Sequence, residues 1–263
     1  MGVTSGRRIF VGDVHGHYDG LMQLLNTIAI NSDDQLYFVG DLIDRGPKSA
    51  HVVQFVRENA YPCVLGNHEQ LLLEAFPSNK VSQYALQAWL QSGGQTTVAS
   101  FDKPELLLES LNWFRSLPTY LDLEDVWLVH AGVHPRLPIQ DQTPQEFCWI
   151  RDEFHSMAQP YFPNKQIITG HTITFTLPGV PPGKLAQGQG WLDIDTGAYH
   201  PKSGWLTGFD LTNQRVYQVH VFQNKTRVLP LSEIMVKIEP SQVQGTPRRR
   251  PLSPLISVLH REE

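Results

Sequence analysis

A series of short apolar runs, each stopped abruptly by a glycine, asparagine or histidine, constrains this chain more than any other feature. Ile9 to Val11, Leu36 to Val39, Pro62 to Leu65, Trp127 to Val129 and Gln166 to Thr169 have strand length and read as buried strands. Between the early ones, Leu21, Leu24, Leu25 and Ile28, then Val52, Val53 and Val56, recur at the spacing of an amphipathic helix. Strand and helix therefore alternate, which is the pattern of an α/β fold. From Gly190 onward the pattern shifts to Trp191 to Ile194, Trp205 to Phe209 and Val216 to Val221, which suggest antiparallel strands of a second sheet layer. The segment from about Gln70 to Leu117 reads as helical, broken at Gly93-Gly94, and as an insertion beside the site that faces the substrate.

At 263 residues and 41% hydrophobic, the chain can bury one large core and leaves little for a second domain. We expect a catalytic domain over residues 1–239 and a flexible Pro/Arg-rich tail over 240–263, where Arg248-Arg249-Arg250 offers a docking element for a partner. The net charge of -5 gives no global attraction to nucleic acid or an anionic membrane, so an anionic substrate must be held by local positive charge. Cys63 and Cys148 lack a CxxC spacing and read as reduced, buried thiols. Ile9 to Val11 is halted at once by Gly12-Asp13, and no run approaches the roughly 20 apolar residues of a membrane span. Gly6 stands where a myristoylation motif needs Ser or Thr, so the expectation is a cytoplasmic protein without a membrane anchor.

The chemistry-bearing residues sit where the strands stop. Gly12-Asp13-Val14-His15-Gly16, Gly40-Asp41-Leu42-Ile43-Asp44-Arg45-Gly46 and Gly66-Asn67-His68-Glu69 follow the first three runs; His130-Ala131-Gly132 and Gly170-His171-Thr172 follow two later ones. Ligands of α/β sheets gather beyond the carboxyl ends of strands, so these loops can converge on one crevice. Carboxylates, an amide oxygen and imidazoles form a mixed nitrogen and oxygen set that suits Mn, Fe or Zn. The flanking glycines let the backbone approach closely.

The ordered set GDVHG, GDLIDRG, GNHE, HAG and GHT resembles the signature of the metallophosphoesterase superfamily, in its phosphoprotein-phosphatase branch. The resemblance implies a two-sheet mixed β-sandwich flanked by helices in four layers. It gives Asp13 and His15 to a first metal, Asp41 to both metals, and Asn67, His130 and His171 to a second. Two divalent ions, Mn²⁺ foremost and Fe or Zn as alternatives, would share the hydroxide that attacks phosphorus directly. The resemblance makes His68 a general acid oriented by Asp44, and makes Arg45 and Arg151, with Asn67, the groups that hold the phosphate.

Each residue has a plainer use when taken alone. Asp13 reads as a helix N-cap, His130 and His171 as core histidines, Asn67 as a turn residue and Arg45 as a partner of Asp44 or Asp41. Five motifs in order favour the ligand reading. His17, His51, His134, His155, His200, His220 and His260 match no such spacing and read as structural. Asp44-Arg45-Gly46, Glu69 and the run Trp89 to Gly94 resemble compact bacterial and phage protein phosphatases, making phosphoserine or phosphothreonine, and possible phosphotyrosine, monoesters the leading substrate class. Leu65, before Gly-Asn-His-Glu, is instead similar to the diadenosine tetraphosphate hydrolases, so a nucleotide phosphohydrolase is the alternative. A non-catalytic scaffold for phosphorylated partners is a third reading, opposed by the intact ligand set and His68.

Overall fold

The computed structural model describes residues 6–78 and 80–244. Its first half runs β1 (Arg8–Val11), α1 (Tyr18–Ile28), β2 (Gln35–Phe38), α2 (Ser49–Glu58), α3 (Asn67–Ala75), α4 (Gln83–Trp89), α5 (Gln95–Ser100) and α6 (Pro104–Ser116). There follow β3 (Tyr120–Leu123), β4 (Val126–Val129), α7 (Pro144–Trp149), α8 (Asp152–His155), β5 (Gln166–Thr169), β6 (Leu185–Gly188) and β7 (Trp191–Asp193). The chain closes with β8 (Trp205–Asp210), β9 (Arg215–His220), β10 (Lys225–Pro230), α9 (Leu231–Ile234), β11 (Met235–Lys237) and α10 (Pro240–Gln244).

Two mixed sheets result, ordered β10-β9-β8-β1-β2 and β11-β6-β7-β5-β4-β3. The pairs β1/β2, β4/β5 and β5/β7 are parallel, which sets their carboxyl ends side by side. Alternate residues point to opposite faces and build separate cores. Phe10 packs between the sheets with Tyr37, Leu128, Ile168 and Leu192, whereas Ile9 and Val11 face Leu21, Leu24 and Val52 of α1 and α2. Trp127, Val129 and Ile167 point the other way, onto Phe147 and Phe154 of α7 and α8. The layers are thus helix, sheet, sheet and helix. The central strands are buried on both faces, which is why their sequences are continuously apolar; each buried Phe contributes roughly 1.5–3 kcal/mol.

Four details differ from the sequence reading. Pro62 to Leu65 forms only a single parallel bridge, Cys63 to Phe38, at the edge beyond β2, because Pro62 has no N–H to extend the ladder. The late strands do not make a sheet of their own: β7 pairs parallel to β5 in one sheet, while β8 and β9 extend the other from β1. β3, β10 and β11 lie at sheet edges, where one face is wet, and so lack the apolar run that betrays a central strand. At the C-terminal end Pro240–Gln244 is helical and its Val243 is buried on the second sheet's helical layer, inside the segment expected as tail. Residues 245–263, with Arg248-Arg249-Arg250, lie outside the described residues.

Candidate metal centre

The loops after β1 and β2 are locked to each other by the backbone. Amides of Val14 and His15 donate to the Asp41 carbonyl at 3.1 and 2.9 Å, and the Gly46 amide donates to the His15 carbonyl at 2.9 Å. A third loop joins through Glu69, buried in the first turn of α3, whose carboxylate accepts from the N–H groups of Asp41 (3.0 Å), Leu42 (2.8 Å) and Gly66 (3.1 Å). Burial and the Asp41 charge push the Glu69 carboxyl up to about 8, against the pull of those amides. Asp41 Oδ1 accepts the His68 amide at 3.0 Å, and Asp13 accepts the His171 amide at 3.1 Å. Two glycines make this closeness possible: a Cβ on Gly66 would lie 2.3 Å from Asp41 Oδ1, and one on Gly170 would lie 2.0 Å from Asp13 Oδ1.

Backbone strain concentrates here. His15, Asp41, Asp44, Arg45 and His171 all take positive φ, between 48° and 71°. Such conformations cost roughly 1–3 kcal/mol each and persist only where the surroundings over-determine them, as the crossed loops do.

Lone pairs face one another at the centre. His15 Nδ1 lies 2.9 Å from the Ile43 carbonyl and must carry the proton, which turns the Nε2 lone pair toward Asp41 Oδ2 at 3.5 Å. His130 repeats the arrangement: Nδ1–H donates to the Val39 carbonyl at 2.7 Å, while Nε2 faces Asn67 Oδ1 at 2.9 Å and Asp41 Oδ1 at 3.4 Å. His171 Nδ1 is 2.7 Å from the same Asn67 oxygen. Where Nδ1 already donates, as in His15 and His130, the Nε2 acceptor faces an acceptor oxygen, and such pairs repel unless a cation lies between them. Their spacings suit donors that each sit about 2.0–2.2 Å from a shared ion, so the residues present fit a divalent metal. Asp13, Asp41 and His130 form one such group and His15, Asp41 and His68 another; Asp41 belongs to both.

Protonation states agree with that fit. Burial, then His68 and Arg45, hold His15 well below the usual imidazole range, and burial lowers His130 and His171 likewise, leaving neutral rings able to ligate. Burial raises Asp41, but the surrounding His130, His68 and His15 outweigh it and keep its carboxyl below the usual range. Asp13 moves oppositely, raised by burial and by the charges of Asp195, Asp41 and Asp193. Four buried carboxylates in one place call for positive charge.

Above this cluster opens a cavity of about 230 Å³, lined by Arg45, His68 and Arg151 among others. His68 Nδ1 donates to Asp44 Oδ2 at 2.7 Å, and its Nε2 meets Arg45 Nη2 at 2.9 Å. The Arg45 guanidinium lies 3.9 Å above the Tyr199 ring, and its buried Nε has no hydrogen-bond partner among the described residues. Arg151 Nη1 donates to Thr172 Oγ1 at 3.0 Å, which carries its guanidinium to the His171 side.

Of the ten residues singled out in the sequence, Asp13, His15, Asp41, Asp44, Arg45, Asn67, His68, His130 and His171 lie in this cluster, and Arg151 stands at its rim. Sequence reasoning missed Asp193, the last residue of β7, and Asp195, two residues beyond it, at a sixth strand end. The run Trp191 to Ile194, ending in Asp195-Thr196-Gly197, carries the same signal as the other five. Asp195 lines the cavity, and burial pushes its carboxyl up to about 6. Tyr199 and Thr97 carried no signal, because nothing in their spacing ties them to the ligands, and Trp89 entered only through the resemblance of the run Trp89 to Gly94, not as a site residue. His155, read as structural, is buried with Nε2 3.4 Å from Asp193. Cys63 and Cys148 are free and buried, and donate no ligand to the cluster.

A family model described as Calcineurin-like phosphoesterase matches residues 6–216. The chain belongs to that family. Calcineurin-like phosphoesterases use a divalent metal centre, and the donor cluster is the candidate for it here. Among curated proteins, the symmetrical bis(5'-nucleosyl)-tetraphosphatase of Vibrio cholerae is 36% identical over 129 residues, 48% of this chain and 44% of its own length. The enzyme of the same name from Coxiella burnetii is 38% identical over 135 residues, 50% of this chain and 43% of its own. The matched stretch thus spans less than half the length of these relatives. Of solved structures, a putative diadenosine tetraphosphatase superposes with a TM-score of 0.59 at 21% identity, covering 88% of this chain and 96% of that one. A protein serine/threonine phosphatase from Saccharomyces cerevisiae gives 0.56 at 16% identity, covering 83% and 74%. These two likenesses establish the fold alone. No helix among the described residues is long and apolar enough to cross a membrane.

Proposed function

We propose that this calcineurin-like phosphoesterase hydrolyses phosphoanhydrides of nucleotides, with diadenosine tetraphosphate as the leading substrate, in the cytoplasm. The observation that carries hydrolysis is the cluster of opposed lone pairs beneath a cavity in which a buried arginine keeps an unpartnered N–H. The substrate class is supported by the names of the curated relatives and by Leu65, and it takes precedence over the protein substrate that Asp44-Arg45-Gly46 suggested.

By the family resemblance Asp13, His15 and Asp41 would hold one ion and Asp41, Asn67, His130 and His171 a second, whereas the donor atoms themselves gather as Asp13, Asp41 and His130 and as His15, Asp41 and His68; Mn²⁺ is the first choice, with Fe or Zn the alternatives from the donor set. Such a pair supplies Lewis acidity, activating water and neutralising charge on the phosphoryl oxygens. The chain's own groups do the rest. Arg45 and Arg151, with the Asn67 amide, take the remaining phosphoryl oxygens and align phosphorus for in-line attack. Binding of those oxygens would draw the Arg45 guanidinium away from His68 Nε2; a proton taken up there from water gives an imidazolium, still held through Nδ1–H by Asp44, that passes it to the departing oxygen. Asp44 accepts the Nδ1–H and fixes the ring so that Nε2 points into the cavity.

A phosphoprotein monoester is the second reading, favoured by the intact Asp44-Arg45-Gly46 turn and its phosphate-facing arginine. Chelator-stripped protein resupplied with Mn²⁺ separates the two when offered diadenosine tetraphosphate, a phosphothreonine peptide and a phosphotyrosine peptide at equal concentration. Higher kcat/KM on the dinucleotide supports the proposal. Preference for a peptide moves the function to protein dephosphorylation, and inertness toward all three leaves only the scaffold.

A further inference from the structure

The helical segment over α4 and α5 reaches the site from behind, and its contacts converge on one group. The Asp44 carboxylate is fully buried, and no lysine or arginine nitrogen among the described residues forms an ion pair with it. It accepts instead from an indole, a hydroxyl and an imidazole. The Trp89 indole N–H bridges both oxygens at 3.1 and 3.0 Å, the Thr97 hydroxyl donates to Oδ1 at 2.6 Å, and His68 Nδ1–H takes Oδ2 at 2.7 Å. The same hydroxyl also accepts the Asp44 amide at 2.8 Å, with Ser49 Oγ sharing that amide at 3.1 Å. Beside them the Arg45 amide donates to the Gly93 carbonyl at 3.2 Å, and Gly93 takes a φ of 114° in the turn joining the two helices.

A carboxylate held by one donor can turn about its own axis, and its imidazole partner can turn with it. Here Trp89 and Thr97 together pin both oxygens, so the Oδ2 lone pair keeps one direction and His68 can meet it with only one ring face and one tautomer. We propose that Trp89 and Thr97 are positioning residues that fix Asp44 and, through it, aim His68 Nε2 at the leaving oxygen. The helical segment is on this account a brace for the proton donor, and not a cover over the substrate. The inference rests on the proposed hydrolytic role of His68.

A positioning role for a proton donor predicts dependence on the leaving group. Phenyl phosphate, whose phenolate is a poor leaving group, needs a proton delivered; 2,4-dinitrophenyl phosphate does not. In Mn²⁺-loaded full-length protein, Thr97→Val should lower kcat on phenyl phosphate about tenfold with KM changed less than about twofold. It should leave 2,4-dinitrophenyl phosphate within about twofold of wild type, and Thr97→Ser should restore phenyl phosphate turnover. Equal losses on both esters, or failure of Thr97→Ser to rescue, would overturn the proposal, since either marks a merely structural residue.

A second readout needs no turnover. In the zinc-loaded protein the His68 Nδ1 proton, bonded to a carboxylate and shielded from water, should resonate far downfield in proton NMR. It should broaden or vanish in Thr97→Val and in Trp89→Phe and return in Thr97→Ser; persistence in both of the first two overturns the proposal. If wild type hydrolyses neither ester, the hydrolytic reading fails, and this proton alone then decides whether Trp89 and Thr97 hold the pair.

Discussion

Gly170→Ala is the smallest change that tests how the centre is built. The added methyl would lie 2.0 Å from Asp13 Oδ1 and 2.7 Å from Val39 Cγ2. Ordinary contact needs about 3.4 Å, so well over 1 Å must be absorbed. Asp13 has little freedom to retreat, because the His171 amide holds its carboxylate at 3.1–3.3 Å and Gly170 is itself tied by its amide to the His130 carbonyl at 2.9 Å. Overpacking of this kind costs roughly 1–3 kcal/mol, which for a chain of this size lowers Tm by about 2–12 °C. The larger consequence falls on the ligand. A carboxylate displaced by about 1 Å no longer reaches an ion it should approach to about 2.0–2.2 Å, so metal affinity should fall by at least 10–100-fold. Gly179→Ala is the control: nothing lies within 4 Å of its added Cβ, but its φ of 74° strains an alanine, so it should lower Tm without touching metal binding. Calorimetric Mn²⁺ titration of both variants, with thermal melts, separates the effects. Wild-type metal affinity in Gly170→Ala would refute the placement of Asp13 as a ligand held by close backbone approach.

Three further outcomes follow from the geometry. Asp41→Asn should empty both metal positions, because this one carboxylate belongs to both donor groups; elemental analysis that finds two ions per chain in an active variant refutes the shared role. His68→Asn should lower kcat on phenyl phosphate by roughly 10²–10⁴ while elemental analysis finds the metal content unchanged, and loss of the ions instead would make His68 a ligand. Far from the site, the Arg7 guanidinium hydrogen-bonds Asp34 at 3.0 Å and holds its carboxyl down to about 2. A carboxyl lowered on folding contributes stability that is fully present above about pH 4 and is lost as pH falls toward 2. Screened by solvent, this amounts to about 1 kcal/mol, so Asp34→Asn should destabilise by that much in urea melts at pH 7 and not at pH 2. Equal destabilisation at both pH values would show that the charge is not what Asp34 contributes.

The sequence by itself determined the strands buried on both faces and the candidate ligands. β1, β2, β4, β5 and β7 are buried on both faces, so their apolar runs are unbroken, and the candidate ligands follow at once because a strand end can aim a side chain into a shared crevice. What it hid has a common physical cause. The edge strands β3, β10 and β11 need only one apolar face, Pro62 to Leu65 looks like a strand but cannot sustain a ladder, and the allotment of β7, β8 and β9 to two different sheets depends on pairing across long loops. The placement of Trp89, Thr97 and Asp195 at the site was likewise decided by the tertiary structure. Trp89 and Thr97 stand 45 and 53 residues from Asp44 in the chain, and only packing brings them within hydrogen-bond reach. Local sequence fixes which groups can ligate or donate; which of them meet is set by the burial of the two sheets against each other and against their helices.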